Sequence, residues 1–121
     1  MFFISFSNAH EPTYINCRDK RDDSWWLNVM VHIAEPSDKY SDTIAWLKDS
    51  AAKACSYFPE DKKCGWKMGK NIKYSVSSYK ADSDEGMGFD ELFIDRIKGE
   101  ATLYTNGREV VYTCNVLAPK F

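Results

Sequence analysis

Asn106-Gly107 is the feature that most constrains the fold, because this dipeptide favours the two-residue type I′ turn of a β-hairpin. The segments on either side, residues 100–105 and 108–117, are rich in β-forming side chains. A turn at this point therefore predicts an antiparallel hairpin with a defined register. The pairs that it sets are Leu103 with Val110, Ala101 with Tyr112, and the small Gly99 with Cys114.

Alternating apolar side chains predict further strands upstream of this hairpin. The clearest run spans residues 25–34, where every second side chain is apolar and the other face is mixed. Pro36 ends the run, because proline has no backbone N–H to donate to a sheet. The other predicted strands are residues 13–17, 72–77 and 89–97.

A single helix is predicted between the second and third strands. After Pro36, apolar side chains recur at spacings of 4, 3, 4 and 4, as on one face of a helix. Ser37 or Ser41 can cap the first turn, and Pro59 prevents continuation. The stripe consists of Tyr40, Ile44, Leu47, Ala51 and Cys55. The predicted order is ββαββββ, a single α+β domain with one curved antiparallel sheet packed against one α-helix.

Four cysteines bear on the cellular compartment. Cys17, Cys55, Cys64 and Cys114 include no CxxC pair, so the close ligand pairs typical of structural zinc are missing and no metal site is predicted. Four cysteines allow three disulfide connectivities. Cys55 ends the predicted helix and Cys64 lies in the loop after it, which makes this bridge easy and leaves Cys17 for Cys114. Two disulfides indicate an oxidising compartment, whereas the alternative is four free thiols in a cytosolic protein.

Residues 1–9, with the sequence MFFISFSNA, resemble the end of a secretory signal peptide. Aromatic and aliphatic side chains come first, and small residues follow where a signal peptidase would cleave. The positively charged segment that opens a complete signal is missing, so the alternative is an N-terminal strand. The prediction is a domain of residues 10–121 in the periplasm or outside the cell.

The composition excludes several classes of protein. The 121 residues are 44% hydrophobic and 28% charged, which fits one folded domain rather than a disordered chain. No apolar run approaches the ~20 residues that cross a bilayer, so no membrane insertion is expected. The formal net charge is -2, and a dedicated nucleic-acid-binding domain would normally be basic.

No common catalytic motif is present in the sequence. The GxSxG, HExxH and P-loop patterns are absent, so the enzyme classes that carry them have no support. His32 lies within a predicted strand and is interpreted as structural. A motif-less active site would have to bring it to Asp95, Arg96 or Glu91. We therefore assign no catalytic residue and no cofactor.

The aromatic content is the main functional signal. Phe, Tyr and Trp make up 15% of the chain, more than one small core needs. Trp26, Trp46 and Trp66 fall outside the predicted apolar faces, and exposed aromatic side chains favour protein-binding hot spots. These three tryptophans are the predicted binding residues, and the alternative is that they too fill the core. The aromatic residues predicted to lie in the core are Trp25, Tyr40, Tyr74 and Tyr112.

The C-terminal third resembles small, mostly uncharacterised secreted proteins of Gram-negative bacteria. In these proteins an Ile-Asp-Arg-x-x-Gly segment leads into a hairpin ending in Tyr-x-Cys, and an early strand carries a partner cysteine. The resemblance implies a periplasmic, disulfide-stabilised, β-rich protein without known catalysis. An Asp-Arg pair before a glycine turn is also explained by a local ion pair that aligns two strands. The matching residues are Ile94, Asp95, Arg96, Gly99, Tyr112 and Cys114, with Cys17 as the early cysteine.

Three functions remain open at this point. The leading hypothesis is a small periplasmic or secreted bacterial protein that binds a protein partner without catalysis, such as an inhibitor or immunity protein. The second is a cytosolic toxin-immunity protein with free cysteines. The third is a small hydrolase or nuclease without a common motif, centred on His32.

Overall fold

A computed structural model describes residues 12–34, 42–55, 64–83 and 89–116. Of these residues, 63% lie in strands and 8% in helical segments. None of the described helical segments is long and apolar enough to cross a membrane. The elements are β1 (Thr13–Asp19), β2 (Trp26–His32), β3 (Thr43–Lys48), α1 (Asp49–Ala54), β4 (Lys67–Met68), β5 (Lys70–Tyr74), β6 (Ser78–Ser83), β7 (Asp90–Asp95), β8 (Glu100–Thr105) and β9 (Arg108–Val116).

The strands form one nearly closed antiparallel sheet, which we call the barrel. Its order is β4-β3-β2-β1-β9-β8-β7-β6-β5. Strands that follow each other in sequence pair, except for β4 and β5, and β9 returns to pair with β1. Only Gly69 separates β4 from β5. Because β4 pairs with β3 and β5 pairs with β6, this interrupted strand brings the two edges of the sheet together.

Gly69 occupies the point where the barrel closes. Its backbone N–H donates a 2.7 Å hydrogen bond to the carbonyl oxygen of Ile44 on β3. A Cβ atom at this position would lie 2.7 Å from the same oxygen and 2.8 Å from the Cβ of Ala81 on β6. Both distances are shorter than van der Waals contact, so glycine is required for the edges to approach this closely.

Side chains from every second strand position fill the interior of the barrel. Trp46 is its largest fully buried member and reaches across the interior from β3. This alternation follows from the pleat, which sends successive side chains to opposite faces. The buried core consists of Ile15, Cys17, Leu27, Val29, Val31, Ile44, Trp46, Ala81, Leu92, Ile94, Ala101, Leu103 and Tyr112.

A second, smaller core lies on the outer face of the barrel, where α1 covers β2 and β3. The side-chain amide of Asn28 on β2 donates hydrogen bonds to the carbonyl oxygens of Ala52 (2.7 Å) and Cys55 (3.0 Å). These bonds satisfy backbone acceptors at the end of a short helix and hold it against the sheet. The buried members are Met30, Ala45, Leu47, Ala52, Cys55 and Trp66.

The predicted α+β class and the ββαββββ order are wrong, because most of the predicted helix is a strand. Residues 43–48 form β3, and only Asp49–Ala54 is helical. Ile44 packs in the barrel core, whereas Leu47 packs beneath α1. A strand buried on both faces is a continuous apolar run, and such a run also satisfies helical spacing. Of the predicted stripe, Tyr40 lies outside the described residues.

The strands predicted over 13–17, 25–34 and 89–97 and the C-terminal hairpin are confirmed to within a few residues. The strand predicted over 72–77 is wrong in its second half, because β5 ends at Tyr74 and residues 75–77 form a turn into β6, which was not predicted. Asn106 and Gly107 have positive φ values of 51° and 81°, as a type I′ turn requires. Leu103 pairs with Val110 and Ala101 with Tyr112. Residues 1–9 and Pro36 lie outside the described residues, so the signal-remnant interpretation stays a prediction.

Both predicted disulfide pairs are bonded in the structure. Cys17 on β1 is joined to Cys114 on β9, across a sequence separation of 97 residues. Cys55, which follows α1, is joined to Cys64 across a separation of 9 residues. The first links the N-terminal and C-terminal strands of the barrel, and the second fixes the chain on either side of the segment after α1.

Candidate functional site

Two tight turns lie side by side at one end of the barrel. Residues 75–77 connect β5 to β6, and residues 96–99 connect β7 to β8. The backbone N–H of Arg96 donates to the carbonyl oxygen of Ser77 at 2.9 Å. Its guanidinium Nη1 donates to the carbonyl oxygen of Ser75 at 2.6 Å. Arg96 therefore ties the two turns together through both its backbone and its side chain.

Asp95 shapes the second turn. Its Oδ1 atom accepts hydrogen bonds from the backbone N–H groups of Ile97 and Lys98, each at 3.0 Å. Gly99 closes the turn with a positive φ of 71° and donates its N–H to the carbonyl oxygen of Asp95 at 2.9 Å. The Asp-Arg pair is thus structural, but it does not act as the local ion pair that the sequence suggested. The carboxylate binds turn amides, and the guanidinium binds the neighbouring turn.

The first turn is organised by a serine hydroxyl. The Oγ atom of Ser75 accepts hydrogen bonds from the backbone N–H groups of Ser77 (3.1 Å) and Ser78 (3.2 Å). The N–H of Ser75 donates to the carbonyl oxygen of Ser78 at 2.9 Å. Side-chain oxygens that bind nearby backbone groups in this way stabilise tight turns.

Aliphatic side chains project from both turns. Val76 is 88% exposed and Ile97 is 77% exposed, and Tyr74 at the end of β5 is 52% exposed. We call these three side chains the tip surface. One exposed aliphatic residue needs no explanation, but here apolar side chains stand on two turns that are bonded to each other. Sequence patterning missed this surface; the signal was an aliphatic residue inside each turn sequence, YSVSS and DRIKG.

A cavity of about 260 Å³ opens beside the tip surface, and we call it the mouth cavity. Buried Ile15 and Ile94 contribute apolar walls. The guanidinium carbon of Arg96 lies 4.4 Å from the centre of the Tyr79 ring, within the range of a cation–π contact. The full lining is Thr13, Ile15, Tyr79, Ile94, Asp95, Arg96, Gly99 and Cys114, so several matching residues of the resemblance gather around this cavity.

The opposite end of the barrel holds a buried ion pair. Lys67 Nζ lies 2.6 Å from Asp90 Oδ2, and the Thr105 hydroxyl donates to Asp90 Oδ1 at 2.7 Å. Asp90 is only 1% exposed. Burial by itself would raise the pKa of this carboxyl group, but the hydrogen bonds from Lys67 and Thr105 outweigh it, so the pKa is lowered. Both carboxylate oxygens of this buried, charged group are therefore bonded, Oδ2 to Lys67 and Oδ1 to Thr105.

Tyr112 is another interior polar group. Burial raises the pKa of its hydroxyl to about 12, and the negative charges of Asp49 and Asp19 act in the same direction. The phenol is therefore neutral at physiological pH and serves as part of the core. Its predicted place in the core is confirmed.

The structure separates the three tryptophans predicted to bind a partner. Trp46 is 1% exposed in the barrel core and Trp66 is 6% exposed beneath α1, so neither has the exposure on which that prediction rested. Trp26 is half-buried, with the Arg18 guanidinium carbon 3.8 Å from its ring centre. Trp25 and Tyr74, predicted to fill the core, are instead about half exposed. The alternation along β2 was predicted correctly, but Trp25 lies just before the first residue of this strand.

The groups that a His32-centred active site would need are engaged elsewhere. His32 lies on β2, whereas Glu91 and Asp95 lie on β7, with three strands, β1, β9 and β8, between them in the sheet. Glu91 forms an ion pair with Lys80 at 2.8 Å, and Asp95 and Arg96 hold the turns. Within the described residues, no group of three or more His, Cys, Asp or Glu side chains could hold a metal ion.

Comparisons of the chain with protein-family models, curated proteins and solved structures find no match. The functional argument therefore rests on the geometry of the site.

Proposed function

We propose that this protein is a non-enzymatic binding protein of the periplasm or the extracellular space, and that it engages a protein partner through the tip surface. The observation that carries the proposal is the pair of bonded turns that expose Val76 and Ile97. An inhibitor or immunity protein is the kind of molecule that such a surface suits.

Rigidity supports this assignment. Binding loses free energy when flexible loops must be ordered, so a surface that is already ordered binds more tightly for the same area. Arg96 and Ser75 connect the two turns, and Asp95 holds the backbone of the second. The side chains at the tips can therefore enter a partner's pocket without a large loss of conformational entropy.

The disulfides support the proposed compartment. The described cysteines are all paired, which is compatible with a secreted or periplasmic protein, since disulfides persist mainly in oxidising environments. The cytosolic alternative with free thiols stays testable. Alkylation of the denatured protein without reductant should label no cysteine, whereas labelling of all four would favour the cytosolic alternative.

The partner surface can be tested with a double variant, Val76→Asp/Ile97→Asp. Purified protein is immobilised so that the tip surface stays accessible, and it is used to capture proteins from the periplasmic and extracellular fractions of the source cells. The wild type should retain a partner in stoichiometric amount, and the double variant should lose it, because two carboxylates cannot enter an apolar pocket without desolvation.

Phe89→Asp is the matched control for this experiment. Phe89 precedes β7 at the opposite end of the barrel and is 51% exposed, so it tests the same chemical change away from the tip surface. This variant should retain the partner. Equal capture by the wild type and the double variant, or no specific capture by the wild type, would contradict the proposal.

A further inference from the structure

The mouth cavity contains the elements of a small-molecule site that the proposed partner surface does not use. Its walls include Ile15, Ile94 and Tyr79, and its lining also holds one cationic side chain, Arg96, and one anionic side chain, Asp95. Ligand sites are typically apolar concave regions with a few fixed polar groups. When β4 and β5 are counted as one interrupted strand, the barrel has eight strands, and the interior of such a barrel is wide enough for side chains or for one small ligand.

The volume indicates the size of the group that can be enclosed. An apolar cavity of about 150 Å³ holds one benzene molecule. A cavity of about 260 Å³ therefore has room for a single aromatic ring with a short chain.

Arg96 determines the charge of the ligand. Among the described residues, no carboxylate lies within ion-pair distance of its guanidinium, although one N–H binds Ser75 and the plane rests against Tyr79. A guanidinium has five N–H donors, so further donors remain for a ligand. Asp95 also lines the cavity, but its Oδ1 atom accepts hydrogen bonds from two amides of the turn, which leaves Arg96 as the group that a charged ligand can pair with.

Fixed orientation adds to this selectivity. A guanidinium that is held in one plane can bind both oxygens of a carboxylate at once, and this geometry is stronger than a single contact. The contacts with Ser75 and Tyr79 hold Arg96 in this way before any ligand arrives. We propose that the mouth cavity binds a small arylalkyl carboxylate, with its carboxylate on Arg96 and its aromatic ring between Ile15, Ile94 and Tyr79.

Phenylacetate is a suitable probe, and its isosteric amide is the matched control. Titration followed by ¹H–¹⁵N NMR should shift the amide signals of Ile94, Arg96 and Gly99 with a dissociation constant of about 1 mM or below. Phenylacetamide should bind about 10-fold or more weakly, because it cannot form charge-assisted hydrogen bonds. Acetate, which lacks the ring, should produce no saturable shift.

Two variants separate charge from volume. Arg96→Gln should weaken phenylacetate binding about 10- to 100-fold and leave phenylacetamide binding nearly unchanged. Thr13→Phe adds a ring at the exposed edge of the cavity and should weaken both probes. Lys98→Gln removes the same charge from the same turn without lining the cavity, so it should leave phenylacetate binding unchanged.

The proposal fails if phenylacetate does not bind, if phenylacetamide or acetate binds equally well, or if Lys98→Gln has the same effect as Arg96→Gln. Since Arg96 also ties the turns together, Thr13→Phe provides a second test that does not touch that connection. Tighter binding of N-acetyl-glycyl-phenylalanine than of phenylacetate would show that the occupant is a polypeptide C-terminus and would also overturn the proposal. These outcomes do not depend on whether the tip surface binds a protein.

Discussion

The two ends of the barrel use polar residues in opposite ways. At the end that carries α1 and the Asn106-Gly107 turn, Asp90 and Lys67 form a buried pair inside the sheet. At the other end, Asp95 at the end of β7 and Arg96 in the turn that follows bind mostly backbone atoms. Polar groups thus stabilise the interior at the first end. At the second end they stabilise turns whose apolar side chains are exposed. The first end is expected to govern stability and the second to govern binding.

The largest stability effect is expected from the disulfide that joins the N-terminal and C-terminal strands. In the chain-entropy model, closing a loop of 97 residues contributes about 4.5 kcal/mol. Cys17→Ser/Cys114→Ser should lower the free energy of unfolding by roughly this amount in urea denaturation. Cys55→Ser/Cys64→Ser closes only 9 residues and should cost about 2.5–3 kcal/mol. Equal losses from the two pairs would contradict the difference assigned to them.

The next largest effect should come from Lys67→Ala. It leaves the buried carboxylate of Asp90 without its cation. Loss of one partner of a buried pair is strongly destabilising, and because the Lys67 side chain is 32% exposed, we expect a cost at the low end of the range, about 3 kcal/mol. Lys80→Ala is the control, because Lys80 forms an ion pair of 2.8 Å with Glu91 on the outer face of the barrel. Urea denaturation should show little change for that variant, and similar losses for both would contradict the contrast between interior and surface pairs.

The same pair predicts a dependence on pH. Because the pKa of Asp90 is lowered from its ordinary value of 3.8 in the folded protein, its charged form adds stability that is fully present above that value. This stability is lost as the pH falls through the lower folded value. When the melting temperature is measured at several pH values below about pH 4, it should therefore fall less steeply with decreasing pH for Asp90→Asn than for the wild type. An unchanged slope would show that Asp90 does not contribute to acid sensitivity.

The smallest stability effect is expected at the tip surface. Val76→Asp/Ile97→Asp alters two exposed side chains, and exposed substitutions usually change stability by less than about 0.5 kcal/mol. The melting temperature should therefore remain close to that of the wild type while partner capture is lost. A large loss of stability would mean that these side chains pack against other parts of the protein, and the division between the two ends would fail.

Local sequence signals predicted the hairpin, the β2 strand and the disulfide pairs, because each depends on residues close together or on simple elimination. The helix over 40–55 failed at Ile44 and Leu47, which face opposite sides of β3. Whether a continuous apolar run is a helix or a doubly buried strand depends on what covers its second face. In this chain the cover is α1, and the sequence of β3 contains no information about it.

The candidate site was predicted only in part. The resemblance drew attention to Asp95, Arg96 and Gly99, but their role in joining two turns depends on Ser75 and Ser77, about twenty residues earlier. The tryptophans misled, because Trp46 and Trp66 fill two different cores. Exposure is a property of the assembled sheet, so an aromatic count could not distinguish a binding residue from a core residue.

The sequence by itself determined the turn at Asn106-Gly107, the alternation of its strands and the spacing of its cysteines, since these follow from backbone conformation and short-range geometry. Only the tertiary structure decided that the sheet nearly closes, because closure places the interrupted strand of β4 and β5 between β3 and β6. At the interruption, the Gly69 nitrogen lies 2.7 Å from the Ile44 carbonyl oxygen. The turns at 75–77 and 96–99 lie together because β6 pairs with β7, with Ser78 opposite Asp95. The surface proposed for binding therefore depends on this pairing and on the contact of Arg96 with Ser75, which neither turn sequence encodes alone.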